Sequence, residues 1–247
     1  MVLTRGTKTY QTSKEISKSL EELYGASMSS SIQKKGERQI IRFRIQLPNQ
    51  QYVGEEDLLS KGFDILNEFM HNPYTVNGFF DSKYINQEKE NLKKRIEGRK
   101  NNKTKYALER CIEKMCANER FSIYEYGKPQ DLDGITSKNL YEHYKTVIET
   151  SPIDICVVGD LDEEKIKDSV LKGLSFRQKD DIIPISNEKI EFPPQQVRIS
   201  NEYMDIMQGK LTLGYRANIH YENELYYALL VFSNILGGGP NSKLFQI

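Results

Sequence analysis

DSKYINQEKENLKKRIEGRKNNKTKYALERCIEKMCAN, residues 81–118, is an almost unbroken helix-forming segment, and the rest of the chain is read outward from it. Apolar residues fall at Tyr84, Ile85, Leu92 and Ile96, and again at Leu108, Ile112 and Met115. Spacings of three, four and seven put one apolar stripe on each half, the pattern of a helix packed on a core. Gly98 and the polar run Lys100–Lys105 are expected to bend or loosen the middle. The stretch Glu88–Arg99 carries charge in every direction. By residue chemistry alone that is a solvated face laced with spaced ion pairs.

Upstream, Thr12 or Ser13 caps a helix ending at Gly25, with Ile16, Leu20 and Leu23 on one face. The stretches ASMSSSIQKK and GERQIIRFRIQLP then read as a hairpin turning at Lys35-Gly36. In the second, Ile41, Phe43, Ile45 and Leu47 alternate with polar residues, as in a half-buried strand. The Ser-rich first strand is the less apolar and is expected nearer an edge. Glu55–Met70 is a second amphipathic helix, stopped by His71-Asn72-Pro73. Downstream, Thr136 or Ser137 opens a helix running through Glu149. Ile153–Val158 is a continuous apolar run, expected as a strand buried on both faces, and Asp162–Lys172 a further helix. This order predicts an α+β layer domain, a mixed, antiparallel-rich sheet packed by helices, over residues 1–178. Charges and three prolines mark residues 179–195 as a linker. Strand signals at 196–199 and 209–217, a helix at 222–236 and a further helix begun at Ser242–Gln246 then open a second domain over 196–247. Fewer residues follow the linker than a matching domain needs, so the chain is expected to be truncated there as well as at its start.

Equal numbers of basic and acidic residues, 35 each, argue against nucleic acid or an anionic membrane as partner. No apolar run approaches the roughly 20 residues of a spanning helix, and no secretory pattern opens the chain. A cytoplasmic protein is expected. Three cysteines without CxxC spacing, Cys111, Cys116 and Cys156, are expected as buried free thiols.

Three histidines, His71, His143 and His220, are too few and too scattered for an HExxH or HxxEH zinc motif. The run LGGGPNSK, residues 236–243, lacks phosphate-loop spacing and follows a helix where that motif needs a strand, so it reads as a helix stop and tight turn.

Several segments in order nevertheless resemble one family, the insulinase and pitrilysin family of zinc metallopeptidases. They are RGTKTYQTSKEISKSLEELYGASMSSS from Arg5, QEKENLKKRIEGRKNN from Gln87, YGKPQDLDGITSKNLYEHYKTV from Tyr126, DICVVGDLDEEKIKDSV from Asp154 and ILGGGPNSKLF from Ile235. The resemblance implies repeated α+β domains, paired into half of a clam-like chamber. It also implies a zinc site of two His from an inverted HxxEH helix and one Glu at the end of a run of the type E-R-x-V-I-x-x-E. Here that run is EKENLKKR, so Glu88 matches the first acid while Arg95 stands at the ligand position. A guanidinium has no lone pair for a cation. The second zinc His aligns with Met1.

The resemblance is closest to a presumed inactive bacterial subgroup. It therefore implies a non-catalytic subunit with no cofactor of its own, zinc being the cofactor of active relatives. Such a subunit would hold or enclose a peptide or unfolded polypeptide, as a homodimer or with an active family member. The peptide is expected beside the edge strand at Ser29, Ser30, Ser31 and Ile32, and Gly237, Gly238 and Gly239 match a glycine-rich loop that helps hold substrate in a two-subunit relative. The alternative is a fragment of an active zinc metalloendopeptidase whose HxxEH lies upstream.

Overall fold

A computed structural model describes residues 2–54, 57–174, 183–185 and 197–247, without the Gln50 side chain. The chain divides into two compact units, 1–190 and 191–247.

In the first unit, helix α1 (Ser13–Glu22) opens on a capping box in which Thr12 and Glu15 satisfy each other's backbone N–H groups. It ends before Tyr24 and Gly25, both at positive φ. Strands β1 (Ser27–Lys35) and β2 (Arg38–Gln46) form an antiparallel hairpin with Lys35 opposite Arg38 and Ser27 opposite Gln46. Gly36, at φ +62°, takes the first turn position, where a two-residue loop of matching twist needs a left-handed residue. After a single helical turn, α2 (Gln50–Val53), helix α3 (Leu58–His71) lays Leu58, Phe63, Ile65 and Phe69 inward. One core forms where Ile16 and Leu23, Ala26, and Leu58, Ile65 and Phe69 of α3 meet Met28, Phe43 and Ile45 from one face of the hairpin. Burying a side chain the size of Leu58 or Phe69 stabilises the fold by roughly 1.5–3 kcal/mol relative to exposure.

A small second hairpin, β3 (Thr75–Val76) and β4 (Phe79–Phe80), turns through Asn77 and Gly78, both at positive φ. Next come α4 (Ser82–Gly98) and α5 (Lys103–Met115), capped by the side chains of Asp81 and Asn102. The long helical segment is therefore two helices, divided at Arg99–Asn101 by one tight 3₁₀ turn. Helix α6 (Ser137–Thr150), opened by a Thr136 cap, packs on β4, where Phe80 meets Tyr141 and Tyr144 edge-on at 5.3 and 5.6 Å. Helix α7 (Glu163–Gly173) begins on an Asp162 cap. The fold class is α+β, with small antiparallel sheets packed by helices.

Three expectations are corrected. Residues 153–158 form no strand; they are irregular and exposed, with Val158 at 91%. The apolar composition is there, but among the described residues no neighbouring strand is hydrogen-bonded to it, and an unpaired strand cannot bury its faces. Cys156 is exposed in consequence and Cys111 half-buried, so of the three thiols only Cys116 is buried. In the second unit, residues 197–199 and 209–217 are irregular where strands were expected, and no helix follows Ser242. Its helix is α8 (Tyr226–Gly237), starting later than the expected Glu222. The expected linker at 179–195 lies mostly outside the described residues.

Candidate functional site

The hairpin sorts its side chains by the two-residue alternation of a strand. Met28, Ser30, Ile32 and Lys34 of β1 are half-buried on the core side, while Ser27, Ser29, Ser31, Gln33 and Lys35 are exposed. Opposite Ser29 and Ser31 on the exposed face stand Arg44 and Arg42. Backbone groups are sorted too. A two-residue turn closes on a hydrogen-bonded pair, here Lys35 and Arg38, and such pairs alternate along the ladder. Ser27, Ser29, Ser31 and Gln33 thus direct their N–H and C=O groups to β2. Met28, Ser30 and Ile32 direct theirs to the other edge, where no strand pairs with β1 among the described residues.

The hairpin tip is anchored to residues 120–126. Lys34 Nζ donates to the carbonyls of Phe121, at 2.6 Å, and Ile123, and lies 5.2 Å from the centre of the Phe121 ring. Burial lowers the Lys34 pKa, with nearby acids working against that shift. Gln39 Nε2 donates to the Glu125 carbonyl at 3.1 Å.

The same loop rests on the long helical segment through two arginine–tyrosine stacks. Arg95 lies 5.1 Å from the centre of the Tyr126 ring. Arg99 lies between Tyr124, at 4.3 Å, and Tyr106, at 5.2 Å. It is also ion-paired to Glu109 and, at 2.6 Å, to Glu113, with Arg110 bridging to Glu113 from the other side. The Arg99 side chain is only 12% exposed. Burial disfavours its charge, yet the two carboxylates hold the guanidinium above its already high usual pKa. Burial, seconded by Glu109, pushes the Tyr124 phenol up. Arg99 is the residue that sequence reasoning missed. Its signal was Glu109 and Glu113, four apart and hence on one helix face, with an arginine just before a helix break.

Glu88 turns to the start of the chain instead, where Arg5 donates to it at 2.7 Å. Burial pushes its carboxyl up, but the positive groups around it, Arg5 among them, win and hold it below the usual range. Beside this pair lies an open cleft of about 530 Å³ lined by Arg5, Asn86, Gln87, Glu90 and Asn91. This donor set does not fit zinc: Arg95 offers no lone pair, Glu88 is engaged by a cation, and no three His, Cys, Asp or Glu converge among the described residues. No helix there is long and apolar enough to cross a membrane.

In the second unit, Gly237 ends α8. A Cβ on Gly238 would lie 2.7 Å from the Asn234 Cα, so only glycine fits; Gly239, at φ +154°, has open space around it. The Lys243 and Leu244 N–H groups return to the Ile235 and Leu236 carbonyls. These glycines shape a helix stop.

Residues 134–247 match the family described as the peptidase M16 inactive domain. Over 99% of its length the chain is 37% identical to a "probable inactive metalloprotease" of Bacillus subtilis, of which it spans 57%. Two solved structures, each aligned with 99% of the chain, share the fold. A conserved protein from Enterococcus faecalis matches over 57% of its length with a TM-score of 0.79 at 26% identity. A peptidase M16 inactive domain from Pseudomonas fluorescens matches over 55% with a TM-score of 0.64 at 17% identity. The chain is similar to M16 peptidase homologues, the insulinase and pitrilysin type, and spans a little over half the length of the relatives it matches. Both the matching family model and the Bacillus subtilis relative are described as inactive.

Proposed function

We propose that this chain is part of a non-catalytic, cytoplasmic M16-type subunit that holds an extended peptide along the free edge of β1 and works paired with an active relative. One observation carries the reading: Met28, Ser30 and Ile32 direct backbone donors and acceptors away from β2, flanked by the small side chains of Ser29 and Ser31. An exposed edge of that kind binds an added strand through main-chain hydrogen bonds and needs no metal. The anchoring of the tip by Lys34 and Gln39 keeps the edge in place before a peptide arrives, which lowers the ordering cost of binding. Gly237–Gly239 are proposed as a second, backbone-only contact. Arg95 at the position of the family's ligating carboxylate supports the absence of catalysis.

Ser30→Pro tests the edge. Its N–H faces away from β2, so proline removes a donor to the peptide without breaking the hairpin ladder. Fluorescence anisotropy with a labelled unstructured polypeptide is expected to show weakened binding for Ser30→Pro, and unchanged affinity would reject β1 as the site. Stoichiometric zinc on the purified protein by elemental analysis would instead favour the active-peptidase alternative.

A further inference from the structure

The exposed face of the first hairpin carries a charge pattern that the backbone edge does not require. Its two strands contain five cationic residues, Lys34, Lys35, Arg38, Arg42 and Arg44, and no Asp or Glu, in a chain whose net charge is zero. Lys34 turns to the core side and is spent on the tip anchor. Arg42 and Arg44 are exposed and have no ion-pair partner among the described residues.

Their cross-strand neighbours matter most. Arg42 faces Ser31 and Arg44 faces Ser29. With strands about 4.8 Å apart, a strand added to β1 lies roughly 10 Å from β2. Extended arginines cover that distance if the residues between are small, and serine is small.

We propose that the site selects acidic peptides: extended segments with a carboxylate at every second position, read by Arg42 and Arg44 across the serines of β1. This rests on the peptide-holding reading above. The period of two follows from strand geometry, since alternate side chains of the added strand meet the arginine face. Those between point to the core side, where Met28 and Ile32 favour apolar residues. Single-stranded nucleic acid, the other polyanion, fits less well, because this face offers no aromatic ring for base stacking.

The test uses short labelled peptides of alternating Glu–Val, Thr–Val and Lys–Val, with an oligothymidylate as competitor, read by fluorescence anisotropy. Expected is an affinity order of Glu–Val, Thr–Val, Lys–Val, with the preference for Glu–Val fading as salt rises. Arg42→Gln with Arg44→Gln should weaken Glu–Val binding by about tenfold, the scale of two partly solvated charge contacts, and leave Thr–Val unchanged. Lysines at both positions should keep the order. Both residues are exposed, and circular dichroism checks that the variants fold. If Glu–Val and Thr–Val bind alike while Ser30→Pro weakens both, acidic selection is wrong and peptide holding stands. Binding of none of the peptides overturns both. Arginine-dependent binding of the oligothymidylate in preference to Glu–Val replaces the acidic peptide with nucleic acid.

Discussion

Two arginines four residues apart, Arg95 in the last turn of α4 and Arg99 in the 3₁₀ turn that follows, meet different fates. Arg95 rests on a single ring, Tyr126, a contact of about 0.5–1 kcal/mol at a partly solvated site. Arg99 is enclosed by two rings and two carboxylates. The energetic weight is therefore on the residue that no motif marks. Arg99→Gln leaves Glu109 and Glu113, 16% and 19% exposed, without their main counter-charge. The expected cost is about 3 kcal/mol, measured by urea denaturation, because a nearly buried charge that loses its partner keeps its desolvation penalty. Replacing both glutamates by glutamine in the same variant should recover part of that loss. A cost below about 0.5 kcal/mol, the range of an ordinary surface change, would show the cluster to be solvated.

Between elements, one half-buried phenol ties α6 to the end of α3: Tyr144 donates to the Met70 carbonyl at 2.7 Å. Burial, with a smaller contribution from Tyr141, pushes its pKa from 10.0 up to about 12. The folded state thus holds this proton more tightly than the unfolded chain. The stabilisation is complete below pH 10 and is lost as pH rises through about 12. Wild-type protein should lose stability more steeply than Tyr144→Phe between those limits, measured by chemical denaturation at fixed pH; parallel curves would mean that the phenol is not protected. Element existence was largely legible in the chain. Thr12 and Thr136 each sit at a helix start as sequence capping rules require, and the expected hairpin forms, its loop at Gly36-Glu37 one residue beyond the expected Lys35-Gly36. In the β3–β4 hairpin, Asn77-Gly78 between Thr75-Val76 and Phe79-Phe80 is a strong turn signal, but the strands themselves leave little trace in the chain. Two-residue strands are too short to show alternation.

At the scale of the molecule, composition misled where burial depends on a neighbour. Ile153, Ile155 and Val157 stay 40–44% exposed along a stretch that pairs with no strand among the described residues. Apolar surface of this kind binds hydrophobic dyes and partners. Ile155→Lys with Val158→Lys should reduce dye fluorescence and leave stability within about 0.5 kcal/mol, as surface changes do. Unchanged dye binding would mean that this stretch is covered in solution.

What the chain determined by itself is local: caps, turns and apolar stripes, all readable within a few residues because they depend on backbone and side-chain chemistry at short range. Residues 81–118 declared their helices and their weak centre in that way. What only the tertiary structure decided is partnership. Arg99, not Arg95, carries the nearly buried charge cluster, Glu88 turns to Arg5, and the apolar run at 153–158 stays irregular, with no strand paired to it among the described residues. The physical reason is common to all three: a charge or an apolar strand is stabilised by what lies across from it, and the distance along the chain to that partner, 83 residues for Arg5 and Glu88, leaves no periodic trace.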